Sequence, residues 1–86
     1  MLIVINKAYG GFDVPEEFSD FCEEFHYTPD EDVRTDPALI RIVSHGCSNP
    51  DLRVVEIPDE ATDWEVNEYD GFETITYVVN GKLNHV

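Results

Sequence analysis

The sequence predicts an α+β fold of two layers, a mixed sheet of about five strands with two helices on one face, in the order β-α-α-β-β-β-β. Three observations carry that expectation. Leu2-Ile3-Val4-Ile5 is a continuous β-rich run; Asp13 with Glu16, and Asp36 with Pro37, have the form of helix starts; Asp70-Gly71 and Asn80-Gly81 each divide two strand-like segments. The 86 residues are expected to form a single domain, because a chain of this length supports one core.

The opening run is apolar on both of its faces and so reads as a covered, central strand. Gly10-Gly11 breaks the chain. Asp13 and Glu16 are spaced as a capping box and Pro15 suits a first turn, which predicts a helix from Val14 to His26. Phe18, Phe21, Cys22 and Phe25 then fall at i, i+3, i+4 and i+7 and form its sheet-facing stripe. Tyr27 to Thr35 is polar, acidic and interrupted by Pro29, hence a loop. Asp36 caps a second helix, Pro37 to His45, with Leu39, Ile40 and Val43 inward and Gly46 as its stop.

Leu52 to Ile57 is the next strand, ended by Pro58. Trp64 to Tyr69, Phe72 to Val79 and Lys82 to Val86 follow as a meander, since both two-residue turns need positive φ. Turns of two residues fix the register, with Tyr69 opposite Phe72, Val66 opposite Ile75, Trp64 opposite Tyr77, Val79 opposite Lys82 and Ile75 opposite Val86. Trp64, Val66, Ile75, Tyr77 and Val86 share one face, while Glu65, Asn67, Thr74 and Thr76 share the other. The last strand is left as an edge that could pair across a homodimer axis.

Charge sets the functional expectations. Nineteen Asp and Glu against five Lys and Arg give a formal charge of −14, where a small domain is ordinarily at about 2 to 8 in magnitude. Direct contact with nucleic acid or an anionic membrane needs a basic footprint and is excluded; a basic partner is the expectation. The longest apolar run falls far short of a membrane span, and no basic segment precedes an apolar one as in a secretory leader. Cys22 and Cys47 read as reduced thiols of a cytoplasmic protein. There is no P-loop and no G-x-S-x-G, and the reading is of a protein that is not an enzyme and takes no cofactor.

The first helix carries Glu16, Glu17, Asp20, Glu23 and Glu24 on its outer face with no basic residue among them. Like-charge neighbours three and four apart each cost roughly 0.2–0.5 kcal/mol, and Glu23 and Glu24 sit at the unfavourable end of the helix dipole. Such a row imitates phosphates and fits the basic nucleic-acid channel of another protein; a plainly solvated, solubilising face is the competing reading. The hairpin register also sets Glu68 opposite Glu73, a like-charge pair that reads as a contact for a partner's arginine rather than as a catalytic pair.

Other constellations point less far. Cys22 and His26 lie four apart on one helix, and His45 and Cys47 flank the end of the next, a nominal Cys2His2 set. Cys22 belongs to the apolar stripe and neither pair has the C-x2-C spacing, so no metal site is expected. Asp30, Glu31, Asp32 and Asp36 have calcium-loop spacing, but Arg34 stands where a ligand is wanted. Gly10-Gly11 with Lys7 occupies the place where α/β proteins cradle phosphate; the acids that follow favour a tight turn with Tyr9 and Phe12 packed around it.

Four stretches resemble a family of short, uncharacterised bacteriophage-encoded proteins. They are Val4-Ile5-Asn6-Lys7 with Tyr9-Gly10-Gly11-Phe12, Arg34-Thr35-Asp36-Pro37-Ala38-Leu39-Ile40, Leu52-Arg53-Val54-Val55-Glu56-Ile57-Pro58-Asp59, and Glu68-Tyr69-Asp70-Gly71-Phe72-Glu73. The resemblance covers about half the chain and implies a phage gene product acting in a bacterial host cytoplasm; it brings no activity and no site residue with it. With the charge, it leads to an expected acidic protein that binds and inhibits or redirects a basic host protein, one that handles nucleic acid in defence or transcription. The alternatives are a sponge for a nucleotide signal, using Lys7 and the Gly10-Gly11 turn, and a structural or assembly accessory.

Overall fold

Each strand and helix can be traced to the local chemistry that starts or stops it. A computed structural model describes all 86 residues, with β1 at Leu2–Asn6, α1 at Glu16–Glu24, a 3-10 turn at Val33–Thr35, α2 at Pro37–His45, β2 at Leu52–Glu56, β3 at Asp63–Tyr69, β4 at Phe72–Val79 and β5 at Lys82–His85. Both hairpin turns hold two residues at positive φ, 50° and 89° at Asp70-Gly71 and 52° and 75° at Asn80-Gly81. The β3–β4 register runs from Trp64 opposite Tyr77 to Tyr69 opposite Phe72, and in the next hairpin Val79 faces Lys82. Ile75 and Val86 exchange both main-chain hydrogen bonds. The element order and the α+β class are those the sequence predicts.

Helix α2 begins where Asp36 accepts from the amides of Ala38 and Leu39 at 2.8 and 3.3 Å, and it stops at Gly46, whose φ of 92° breaks the helix. Helix α1 is shorter than predicted at both ends. Pro15 itself takes the N-cap position, and no side chain caps the helix, so Asp13 lies too far ahead to form the capping box. At the other end His26 turns at φ 51°, which leaves Phe25 outside the helix and 62% exposed instead of in the buried stripe.

The predicted single mixed sheet is instead two antiparallel sheets, β1–β2 and β3–β4–β5. The reason lies in edges. Lys7 donates to Asp51 and Ile57 donates to Met1, so the odd-numbered residues of β1 bond to β2 and the main-chain groups of the even-numbered ones point to its other edge. Strand β4 has both of its edges taken by β3 and β5 and packs on β1 face to face. Helices and meander therefore cover opposite faces of β1–β2. Val4 and Leu52 pack with Phe18 and Leu39 on the helical side, while Ile3, Ile5 and Ile57 pack with Ile75 on the other. That arrangement is why Leu2 to Ile5 has no polar face.

Fourteen of the 86 residues are buried and four of those are polar or charged, so two buried carboxylates acquire unusual weight in holding the layers together. Glu73, a β4 residue in phase with Ile75, accepts Arg34 through both oxygens at 2.7 and 2.6 Å. Its Oε1 also accepts the Asn6 amide at 2.8 Å, and Arg34 Nη1 donates to the Val4 carbonyl at 3.2 Å. Val4 and Asn6 are the residues whose main-chain groups face away from β2, so an ion pair of side chains closes part of the open edge of β1. Phe12 lies beneath the guanidinium, 4.0 Å from ring centroid to Arg34 Cζ. The second buried carboxylate, Asp36, accepts the Tyr27 hydroxyl at 3.0 Å and the Asp30 amide at 2.7 Å besides capping α2.

The two glycine turns meet. Gly10 donates to the Asp70 carbonyl, the Asn6 side chain donates to the carbonyls of Ala8 and Gly71, and a Cβ on Gly71 would lie 2.1 Å from the Gly11 nitrogen. No side chain fits there.

Candidate interaction surface

The predicted contact residues fall into two groups once placed on the fold. Glu16, Asp20, Glu23 and Glu24 are exposed on α1, none bonded to another side chain. Neighbours three or four apart on a helix have Cβ atoms about 5–6 Å apart, so these carboxylates form one continuous ridge. A shallow hollow on the ridge is lined by Asp20, Glu23 and Glu24 alone. Glu17 is exposed as well, but its carboxylate accepts the Ser48 amide and hydroxyl at 2.6 and 2.7 Å. The Ser48 hydroxyl bond is the leading cause of a carboxyl held below its ordinary range. Glu17 thus ties α1 to the segment after α2 while keeping its charge at the surface.

Glu73 is corrected. The register does set it opposite Glu68, but its side chain is 4% exposed and paired to Arg34, so it cannot meet a partner. Glu68 is exposed and accepts the Gly71 amide at 3.1 Å, a turn contact that leaves its other oxygen free. Sequence reasoning missed the Arg34–Glu73 pair, which joins residues 39 apart. Two signals for it existed: Glu73 is in phase with the buried stripe Ile75–Tyr77, and Arg34 is the one basic residue in an otherwise acidic loop.

Glu73 is also the only side-chain carboxylate that pairs with a basic side chain. Of the other basic residues, Lys7 lies over the Phe72 ring at 5.2 Å and Arg53 donates to the carbonyls of Pro50 and Leu52; Arg41 and Lys82 are exposed and form no ion pair. The negative charge is consequently left facing solvent, and every side chain of acidic type lies between Asp13 and Glu73, none on the closing stretch of β4 and β5.

The remaining candidates are used structurally. Asp32 accepts the Arg34 amide and Asp36 is filled by four donors, so the acidic loop spends these carboxylates on its own backbone. Cys22 and Cys47 are free thiols; Cys22, His26, His45 and Cys47 form no ligand cluster, and no three His, Cys, Asp or Glu side chains converge as a metal site anywhere. The Gly10 amide is taken by Asp70 and Lys7 by an aromatic face, which leaves neither directed at an anion. Phe12 packs under Arg34 as part of this turn, whereas Tyr9 is 72% exposed. Strand β5 keeps an open edge with Leu83 exposed.

No helix is long and apolar enough to cross a membrane. Comparison with known protein families, with characterised proteins and with solved structures found no match.

Proposed function

We propose that this chain is a non-enzymatic phage protein that acts in a bacterial host cytoplasm by binding a basic host protein, one that handles nucleic acid, and thereby inhibits or redirects it. The observation that carries the reading is the α1 ridge of Glu16, Asp20, Glu23 and Glu24, exposed and paired with no basic side chain. Lysines at some of these positions would support α1 better, through i,i+4 pairs and at the C-terminal end of the dipole. A row of acids kept at a cost to its own helix is explained by something outside the molecule. A surface of net charge −14 steers a positive partner and raises the encounter rate, an effect that falls steeply with ionic strength.

Reversing Asp20, Glu23 and Glu24 together to Lys tests the reading. Capture of the basic partner is expected to be lost while the melting temperature rises or stays the same, because a base at position 20 attracts Glu16 and Glu17, bases at 23 and 24 suit the C-terminal end of the dipole, and none of the three side chains makes a hydrogen bond or ion pair in the fold. Unaltered capture removes α1 from the account; a lower melting temperature contradicts the premise that the acids burden the helix.

A further inference from the structure

Beside the acidic ridge runs an apolar groove of about 370 Å³ between α1 and α2, lined by Phe21, Tyr27, Pro37, Ala38, Arg41 and Ile42. Phe25 lies against the Phe21 wall, 62% exposed, with its ring centroid 5.0 Å from that of Phe21. Phe21 in turn meets Tyr27 edge-on at 5.3 Å, and the Tyr27 hydroxyl is fixed by both Asp36 oxygens. The aromatic wall is therefore held in place before anything binds, which lowers the ordering cost of association. Apolar surface of this kind, rimmed by charge, marks an interaction site.

Charge names the occupant. Along α1, Phe21 is flanked by Glu17 four residues before it and Glu24 three after it, with Asp20 adjacent, so the groove's α1 bank is acidic and borders the near side of the ridge. The opposite bank presents Arg41, which is exposed and pairs with no acid. We infer that the groove receives one face of a basic amphipathic helix of the partner, its apolar side chains seated against Phe21, Phe25 and Ile42 and its Lys or Arg flank lying on Glu17, Asp20 and Glu24. This is helix-in-groove recognition, read from anchors at i, i+3, i+4 and i+7, and Arg41 sets its direction by holding the basic flank to the α1 side. The inference rests on the acidic-partner reading above and adds the shape and the apolar half of the ligand.

The experiment is fluorescence anisotropy with a labelled peptide of about 18 residues, Leu at i, i+3, i+4 and i+7 and Lys at the flanking positions, against a shuffled peptide of identical composition whose leucines share no face. The amphipathic peptide is expected to bind at least about tenfold more tightly. Phe25→Ser, a change at an exposed ring, should abolish that preference and leave the affinity for the shuffled peptide unaltered. Charge reversal at Asp20, Glu23 and Glu24 should weaken both. Equal binding of the two peptides, or a preference that survives Phe25→Ser, overturns the groove while leaving the acidic ridge in place. Binding of neither peptide, with no effect of charge reversal, overturns both readings. Self-association of the protein that Phe25→Ser abolishes assigns the groove to a second copy and also overturns the inference.

Discussion

Replacing Glu73 with alanine is expected to destabilise the fold by about 3–5 kcal/mol, the range for removing one member of a buried ion pair and leaving the other uncompensated. For a domain of this size about 4 kcal/mol corresponds to a fall in melting temperature of roughly 15–30 °C. The loss is large because three interactions go together. Arg34 keeps its charge with 18% of its side chain exposed, the Asn6 amide loses its acceptor, and the guanidinium that served the Val4 carbonyl is no longer anchored. Glu73→Gln should fall between wild type and alanine, since it keeps an acceptor for Asn6 but not the charge. Exchanging both partners for apolar residues, Arg34→Met with Glu73→Leu, is often neutral for buried pairs. Here it should still cost about 1–3 kcal/mol, because Val4 and Asn6 would be left with unpaired main-chain groups. Thermal unfolding followed by circular dichroism measures all three, and an alanine variant that melts with the wild type would show that the pair does not close the β1 edge.

Asp36→Ala is the second large effect, with an expected cost of about 2–4 kcal/mol, combining a lost helix cap that leaves the buried Leu39 amide without its acceptor with the loss of the bonds from the Asp30 amide and the Tyr27 hydroxyl. Asn at this position keeps the cap and should recover much of the loss. The same carboxylate makes stability depend on pH. Burial opposes ionisation of Asp36, but the Asp30 amide, the Tyr27 hydroxyl and the amides of Ala38 and Leu39 together outweigh it and hold its carboxyl below the ordinary carboxylate range. A group whose pKa is depressed in the folded state stabilises the fold above its unfolded value, about 3.9 for Asp, and loses that contribution as pH falls through the folded value. Wild type should thus lose stability on acidification below about pH 4, and Asp36→Asn should lose less over the same interval. Parallel acid-unfolding curves for the two proteins would contradict the assignment.

How much of this was legible in the sequence depended on the range of the interaction. The two hairpins were readable because Asp70-Gly71 and Asn80-Gly81 are local demands on φ, and a two-residue turn fixes every pairing that follows it, out to Ile75 with Val86. The second helix was readable because cap, Pro37 and stop lie within a dozen residues. The division into two sheets was not, since it follows from which β1 edge is open and from β4 having no free edge, facts that exist only once distant strands meet. Glu73 shows the same limit within the candidate site. Its register opposite Glu68 was legible, but its partner Arg34 lies on a loop from the other half of the chain, and an acid beside a turn looks exposed until that loop is placed. The α1 acids needed no such information, as their spacing on one helix already put them together; the early end of α1 at Glu24, and with it the exposure of Phe25, came from the turn at His26 that no local signal announced.

The exposed, uncompensated carboxylates on α1 are proposed to meet a cationic protein. Affinity capture from host lysate at low and at high salt measures this most directly. One dominant prey is expected, a basic nucleic-acid-binding protein, whose retention drops sharply as salt rises. A dominant prey that is acidic or indifferent to salt, or a nucleotide released from the purified protein on denaturation with no protein prey at all, would contradict it.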